Sequence, residues 1–207
     1  HKQIVHPPFL PSLPIQDLVS NLAGLTYKNI KGGTRLIGGG LDTILGLLPS
    51  AFGKTAMNPK KEVVRSVLNG IVGDHLEATA NPLQIEMQFR HQGEAVALDP
   101  MNIAKSYQNP NGKILLLVHG SCMNDLLWTR KEHNHGIALA KELQQTPIFL
   151  NYNSGRHISS NGQSLNGLLE NLVQNWPVPV EELVILSHSM GGLVTRSAIH
   201  YGQQQHK

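Results

Sequence analysis

This chain has few cysteines and few aromatic residues. Cys122 is the only cysteine among its 207 residues, which excludes an internal disulfide, and aromatic residues make up 5%. The net charge of +3 is spread along the chain, with no basic stripe interleaved with aromatic rings on which bases would stack. We therefore predict no nucleic-acid partner.

Targeting and membrane signals are also missing. No run of about twenty apolar residues occurs, so the sequence predicts no membrane-spanning helix. The chain starts with His1-Lys2 and a proline-rich stretch, without the apolar core of a signal peptide. Because there is no initiating methionine, the upstream sequence and the cellular location stay open, and these absences slightly favour the cytoplasm.

Residues 1–80 form the first of two predicted regions, a proline-rich lead-in followed by a helical N-terminal extension. Apolar residues recur at helical spacing, but glycine pairs and triplets interrupt the pattern, and each glycine inside a helix costs about 1 kcal/mol relative to alanine. The pattern is cleaner at 62–76, where one face is apolar. The apolar face of 36–48 would suit peripheral contact with a lipid surface, although such a face more often packs on its own domain.

Residues 81–207 carry the pattern of an α/β domain. Alternation at 83–90, a polar turn and the short run 95–98 predict a β-hairpin. Continuous apolar runs, typical of strands buried on both faces of a parallel sheet, follow at 114–118, 147–150 and 183–186. Amphipathic helical stretches lie between them, so we predict a parallel sheet with right-handed crossovers and flanking helices.

The run Ser-His-Ser-Met-Gly-Gly at 187–192 lies between the last apolar run and a helical pattern. A sharp strand-to-helix turn here would expose the hydroxyl of Ser189 and strain its backbone. Such a turn needs small residues at Ser187 and Gly191, and Gly192 would let the helix approach the sheet. The alternative is a plain helix cap after a buried strand. We predict His188 to be a packed, hydrogen-bonded histidine that points away from Ser189.

A second motif, His119-Gly120-Ser121-Cys122, ends the 114–118 run about 70 residues earlier. A loop in this place can stabilise a negative oxygen through backbone N–H groups, which need no side-chain ordering. The predicted donors are the N–H of Met190 and that of Ser121 or Cys122. His119 would orient the loop by hydrogen bonding, with Gly120 supporting the turn. An ordinary βα turn with a glycine is the alternative.

Together these motifs make residues 83–201 resemble lipases and esterases of the α/β-hydrolase superfamily, particularly triacylglycerol lipases and GPI inositol-deacylase-like proteins. The resemblance implies an α/β-hydrolase fold over 81–207, with an N-terminal hairpin plus parallel strands with flanking helices. It also implies that Ser189 forms an acyl-enzyme during the cleavage of carboxylic esters, of lipids or other apolar acyl groups, without a cofactor.

We predict no metal site in this chain. His133 and His135 are two residues apart, so they do not share a helix face, and no third ligand is evident. We interpret them as part of a solvated turn.

The acid and the histidine of a hydrolase triad follow the serine in chain order, and only 18 residues follow Ser189. His200 and His206 fall on or just past the helix after the motif, pointing away. We therefore expect this chain to be a fragment of a longer protein, truncated after this helix. Residues 183–186 should form an unpaired edge of the sheet, and esterase turnover should be very weak or absent. The alternative function is a catalytically inactive hydrolase-fold module for binding or scaffolding, and the two differ in whether an acid and a histidine follow Lys207. The acyl chain, the alcohol and the oligomeric state stay open.

Overall fold

The computed structural model describes residues 59–107 and 109–205, all of which belong to one contiguous unit of the chain. The predicted lead-in, the predicted helices before residue 59 and the 36–48 stretch lie outside the described residues. None of the described helices is long and apolar enough to cross a membrane.

A five-stranded sheet is formed largely by the continuous apolar runs of the sequence. Its strands are β1 (Gln88–His91), β2 (Glu94–Ala95), β3 (Lys113–Val118), β6 (Thr146–Asn151) and β7 (Glu182–Ser187). Their order is β2-β1-β6-β3-β7, with β3 parallel to both β6 and β7, and β1 antiparallel to β2 and β6. A separate antiparallel ribbon joins β4 (Thr129–Arg130) to β5 (His133–Asn134).

Helices flank this sheet on both faces. They are α1 (Pro59–Ala78), α2 (Pro100–Ser106), α3 (His135–Leu143), α4 (Ile158–Asn175), α5 (Met190–Gln205) and a short 3₁₀ helix, Asp125–Trp128. Apolar residues of α2, α4 and α5 cover one face of β3 and β6, while α3 covers the other. The structure is therefore a mixed α/β fold with a mostly parallel central sheet and flanking helices, as the sequence predicted at this level.

Within the described residues β7 lies at the edge of the sheet. Residues 183–187 are only half-buried, whereas the apolar residues of β3 are fully buried. The predicted unpaired edge is therefore present in the described part of the chain. Two apolar side chains of the following helix are also open to solvent, Leu193 at 53% and Ile199 at 51% exposure.

The predicted hairpin is present but shorter than expected. β1 begins at Gln88, so the prediction of a strand over 83–87 is wrong, and β2 covers two residues. The backbone of 83–85 is bound by side chains of α1 instead of a neighbouring strand. Arg65 donates to the carbonyls of Leu83 and Gln84, and Asn69 donates to Leu83 and accepts from the N–H of Ile85. These bonds satisfy backbone groups that a strand ladder would otherwise use.

The helix predicted at 62–76 is present as α1, with a kink at Val72. It packs directly on the α/β elements. Adding a Cβ at Gly73 would bring it within 1.8 Å of the side-chain oxygen of Asn153, and one at Gly70 within 2.3 Å of the sulfur of Cys122. The described part of the predicted N-terminal extension is thus packed against the region that starts at residue 81.

Candidate functional site

The turn between β7 and α5 has the conformation that the sequence predicted for the serine motif. Ser189 lies between the last residue of β7 and the first of α5 and adopts a φ of 52°, a left-handed conformation that non-glycine residues seldom adopt. Hydrogen bonds from Gly191 N–H to His188 O (2.9 Å) and from Gly192 N–H to Ser189 O (3.0 Å) close the turn. The side chain of Ser189 is exposed. The turn therefore presents a hydroxyl to solvent on a sterically costly backbone.

Gly191 is where α5 comes closest to the sheet. A Cβ there would lie 2.6 Å from the carbonyl oxygen of His119 and 2.7 Å from that of Val118. Around Gly192, by contrast, no described atom outside its chain neighbours and the adjoining backbone of α5 lies within 4 Å of a Cβ position. The predicted role of Gly192 in close helix approach is thus wrong for the described residues, and Gly191 fills it.

The two residues before Ser189 differ in their surroundings. The hydroxyl of Ser187 forms a hydrogen bond of 2.7 Å with that of Thr195, one helical turn into α5, which supports the predicted structural role of Ser187. His188 bonds through its backbone N–H to Val118 O at 2.9 Å, but its side chain is exposed. The prediction of a packed His188 is therefore wrong, because the edge position of β7 leaves that side of the turn uncovered among the described residues.

The end of β3 lies directly beside Ser189. A Cβ at Gly120 would be 3.1 Å from the Cβ of Ser189 and 3.0 Å from Nδ1 of His188. Any larger residue at 120 would crowd the serine, which explains the glycine. The two predicted motifs, about 70 residues apart in the chain, are brought together at the carboxyl ends of adjacent parallel strands.

Among the described residues, the three predicted oxyanion donors are not equivalent. The N–H groups of Ser121 and Met190 form none of the hydrogen bonds found there. The N–H of Cys122 instead donates to Oγ of Ser154 at 2.9 Å, and Cys122 has a left-handed φ of 59°. Two of the three backbone donors therefore have no partner among the described residues, and one is occupied.

His119 is fully buried and forms hydrogen bonds to the loop that follows it. Its Nδ1 donates to Gly120 O at 2.8 Å, and its own carbonyl accepts from the hydroxyl of Tyr152 at 2.8 Å. The two rings stack with their centroids 4.3 Å apart. Burial lowers the pKa of His119 to about 4, so the imidazole is neutral near pH 7. These contacts fit a histidine that fixes the loop and does not act as a base.

Below the loop lies a buried ionic cluster that the sequence reasoning missed. Arg90 Nη1 is 3.0 Å from an oxygen of Glu62 and 3.3 Å from one of Asp125. Asn151, at the end of β6, accepts from the same guanidinium when its carboxamide oxygen faces Arg90. Desolvation raises the pKa of Asp125, and the charge of Arg90 opposes this shift. The cluster ties α1, β1, β6 and the 3₁₀ helix together beneath the site.

Sequence reasoning also missed Tyr152 and Ser154, which follow β6. A signal was available, because ligands of parallel α/β sheets bind at the carboxyl ends of the strands, and the 147–150 run is followed by polar residues.

No general base is hydrogen-bonded to the serine in the described part of the chain. There, Ser189 Oγ forms no hydrogen bond with a carboxylate or an imidazole. His200 is exposed on α5 and bonds to Gln204, as expected for a residue pointing away from the site. The described residues also contain no group of three or more metal-ligating side chains placed to hold an ion.

Searches against known protein families, curated proteins and solved structures found no match for this chain. Interpretation of the site consequently depends on its own geometry.

Proposed function

We propose that this chain carries the nucleophile and oxyanion hole of a serine hydrolase that cleaves carboxylic esters. The observation that carries the proposal is the left-handed Ser189, which is exposed between the parallel edge strand β7 and the helix α5 and is adjacent to Gly120. This combination of strand, strained serine and helix is typical of the nucleophile elbow of α/β-hydrolases. The free N–H groups of Ser121 and Met190 support the proposal, because they supply donors without ordering a side chain.

The chemistry assigned to these groups is acyl transfer. Ser189 Oγ bonds to the ester carbonyl carbon, its proton leaves to a base, and the carbonyl π electrons move onto the oxygen. The N–H groups of Ser121 and Met190 donate to that oxyanion, and the positive end of α5 adds to its stabilisation. Collapse of the tetrahedral species restores the carbonyl and expels the alcohol, leaving an acyl group on Ser189. Attack by water then releases the carboxylic acid and restores the serine.

A second candidate function is a hydrolase-fold module that binds or scaffolds without catalysis. The observation that favours it is the lack, among the described residues, of a hydrogen-bonded base for Ser189. The donors and the turn would then be remnants of a catalytic site. We expect very weak or no ester turnover by this exact chain under either function. A turnover assay alone therefore does not distinguish the hydrolase from the binding module.

Stoichiometric labelling separates the two functions. We expect a fluorophosphonate at pH 9, with imidazole added as an external base, to attach once per chain and on Ser189, as read by intact mass and peptide mapping. Ser189→Ala should remove the adduct. Ser159→Ala, which deletes an exposed hydroxyl at the start of α4, should keep it.

Labelling that spreads over several serines, or that survives Ser189→Ala, would refute the hydrolase proposal. Complete absence of an adduct would favour the binding module. Rapid Ser189-dependent turnover of p-nitrophenyl esters by this chain would instead contradict the expectation of very weak or no turnover, which rests on the lack of a hydrogen-bonded base among the described residues.

A further inference from the structure

The segment 152–155, which follows β6, holds the loop at the end of β3 at two points. The hydroxyl of Tyr152 donates to His119 O, and Oγ of Ser154 accepts from Cys122 N–H, at 2.8 and 2.9 Å. These two bonds bracket the Gly120-Ser121 dipeptide that adjoins Ser189. The position of that dipeptide is therefore set from the neighbouring strand as well as from its own.

The segment is itself firmly anchored. Asn153 donates to Gly73 O of α1 at 2.8 Å and accepts from Gly155 N–H at 3.0 Å. Its backbone carbonyl accepts from Asn161 of α4 at 2.9 Å. Ser154 is only 5% exposed, so solvent does not compete for its hydroxyl. An acceptor fixed in this way can hold the partner N–H in one orientation.

The bond to Ser154 decides which backbone N–H is available at the site. Cys122 is held in a left-handed conformation, and its N–H points to Ser154. The preceding N–H, that of Ser121, is left without a partner among the described residues. Without the Ser154 hydroxyl, the peptide group between Ser121 and Cys122 would be free to rotate. Cys122 N–H would then compete with Ser121 N–H for the oxyanion of the substrate.

We propose that Ser154 is a positioning residue of the oxyanion hole. Its hydroxyl occupies Cys122 N–H and thereby makes Ser121 N–H the donor that acts with Met190 N–H. This inference rests on the proposed function, because it assigns a role within the same site. It adds a residue that does not touch the substrate and acts through the loop.

The test measures the rate of fluorophosphonate labelling at Ser189 in Ser154→Ala. We expect the rate to fall by about tenfold, a smaller loss than the 10²- to 10³-fold that follows outright removal of an oxyanion donor. The matched control is Ser66→Ala, which removes an equally buried hydroxyl bonded to Glu62 O of α1, and its labelling rate should not change. Threonine and valine have nearly the same shape, and only threonine carries a hydroxyl. If Ser154→Ala does not fold, the labelling rates of Ser154→Thr and Ser154→Val therefore test the role of the hydroxyl instead.

Two further readouts separate positioning from a general loss of structure. Amide hydrogen exchange at Cys122 should accelerate in Ser154→Ala. The ³¹P resonance of the labelled serine should shift in Ser154→Ala and not in Ser66→Ala, because the phosphoryl oxygen loses part of its hydrogen bonding.

Unchanged or faster labelling in Ser154→Ala, or equal rates for the threonine and valine variants, would overturn the inference and leave the proposed function standing. Failure of the unaltered chain to label at Ser189 would overturn the proposed function and this inference with it.

Discussion

Replacing Gly191 with alanine places a methyl group in the narrowest gap between α5 and the sheet. The new carbon would lie 2.6 Å from His119 O and 2.7 Å from Val118 O. A carbon normally approaches a carbonyl oxygen to about 3.3 Å, so relief of the closer contact requires the helix and the end of β3 to separate by roughly 0.7 Å. Both obstructing atoms are backbone oxygens of fully buried residues, Val118 at the end of β3 and His119 just after it, so no side-chain rotation relieves these two contacts.

Overpacking of this kind costs about 1–3 kcal/mol in the free energy of unfolding, which corresponds to a fall in Tm of roughly 3–10 °C for a domain of this size. The adjacent Gly192→Ala is the matched control, because no described atom outside its chain neighbours and the adjoining backbone of α5 lies within 4 Å of its Cβ position. Alanine is the better helix former by up to about 1 kcal/mol, so Gly192→Ala should be neutral or stabilising.

Denaturant unfolding of the two variants beside the unaltered chain measures the difference. We also expect Ser189 to label more slowly in Gly191→Ala, because the same displacement moves Met190 N–H away from Ser121 N–H. Equal stability of the two alanine variants would show that α5 does not approach β3 as closely as the structure indicates.

Two further predictions concern buried charge. Arg90→Met leaves the carboxylate of Asp125 buried without its cation and leaves Glu62 with Arg65 alone, 3.8 Å away. We therefore expect a loss of about 3–5 kcal/mol in the free energy of unfolding; a variant as stable as the unaltered chain would contradict the cluster. His119 has a pKa of about 4 when folded, against about 6.5 when unfolded, so the unfolded chain binds more protons in that range. Stability should therefore fall as the pH drops from about 6.5 to about 4, by up to ~3 kcal/mol. His119→Gln should lack this fall in stability. Identical profiles of stability against pH for the variant and the unaltered chain would refute the low pKa of His119.

The parallel strands of the sheet could be predicted because their signal is local. A strand buried on both faces needs a continuous apolar run, and β3 and β6 each coincide with one. The half-buried edge strand β7 coincides with a third apolar run. The serine turn was predictable for the same reason. Its small residues, its left-handed position and the following helix occupy six consecutive positions, so no distant contact was needed to anticipate the conformation of Ser189.

The errors arose where distant residues override local preference. Alternation at 83–87 indicates a strand, but the side chains of Arg65 and Asn69, between 14 and 19 positions earlier, take up the backbone groups that a ladder would use. Arg90 in an alternating strand looks like a solvent-facing residue, yet its partners Glu62 and Asp125 are 28 and 35 positions away. Pairings of this range leave no periodic trace in a single sequence.

The geometry of the candidate site depends on α1 as much as on the strands that carry its residues. Gly73 O of α1 accepts from Asn153, the neighbour of Ser154, and Gly70 packs against Cys122, the residue that Ser154 holds. A larger side chain at Gly70 would push on the loop that presents Ser121 N–H, and one at Gly73 would push on Asn153 in the segment that holds this loop. The helix predicted as part of a separate N-terminal extension therefore lies in the same chain of contacts as the loop at the end of β3. A change that shifts α1 should therefore reach Ser189 through that loop, as well as reaching β1 through the ion pair between Glu62 and Arg90.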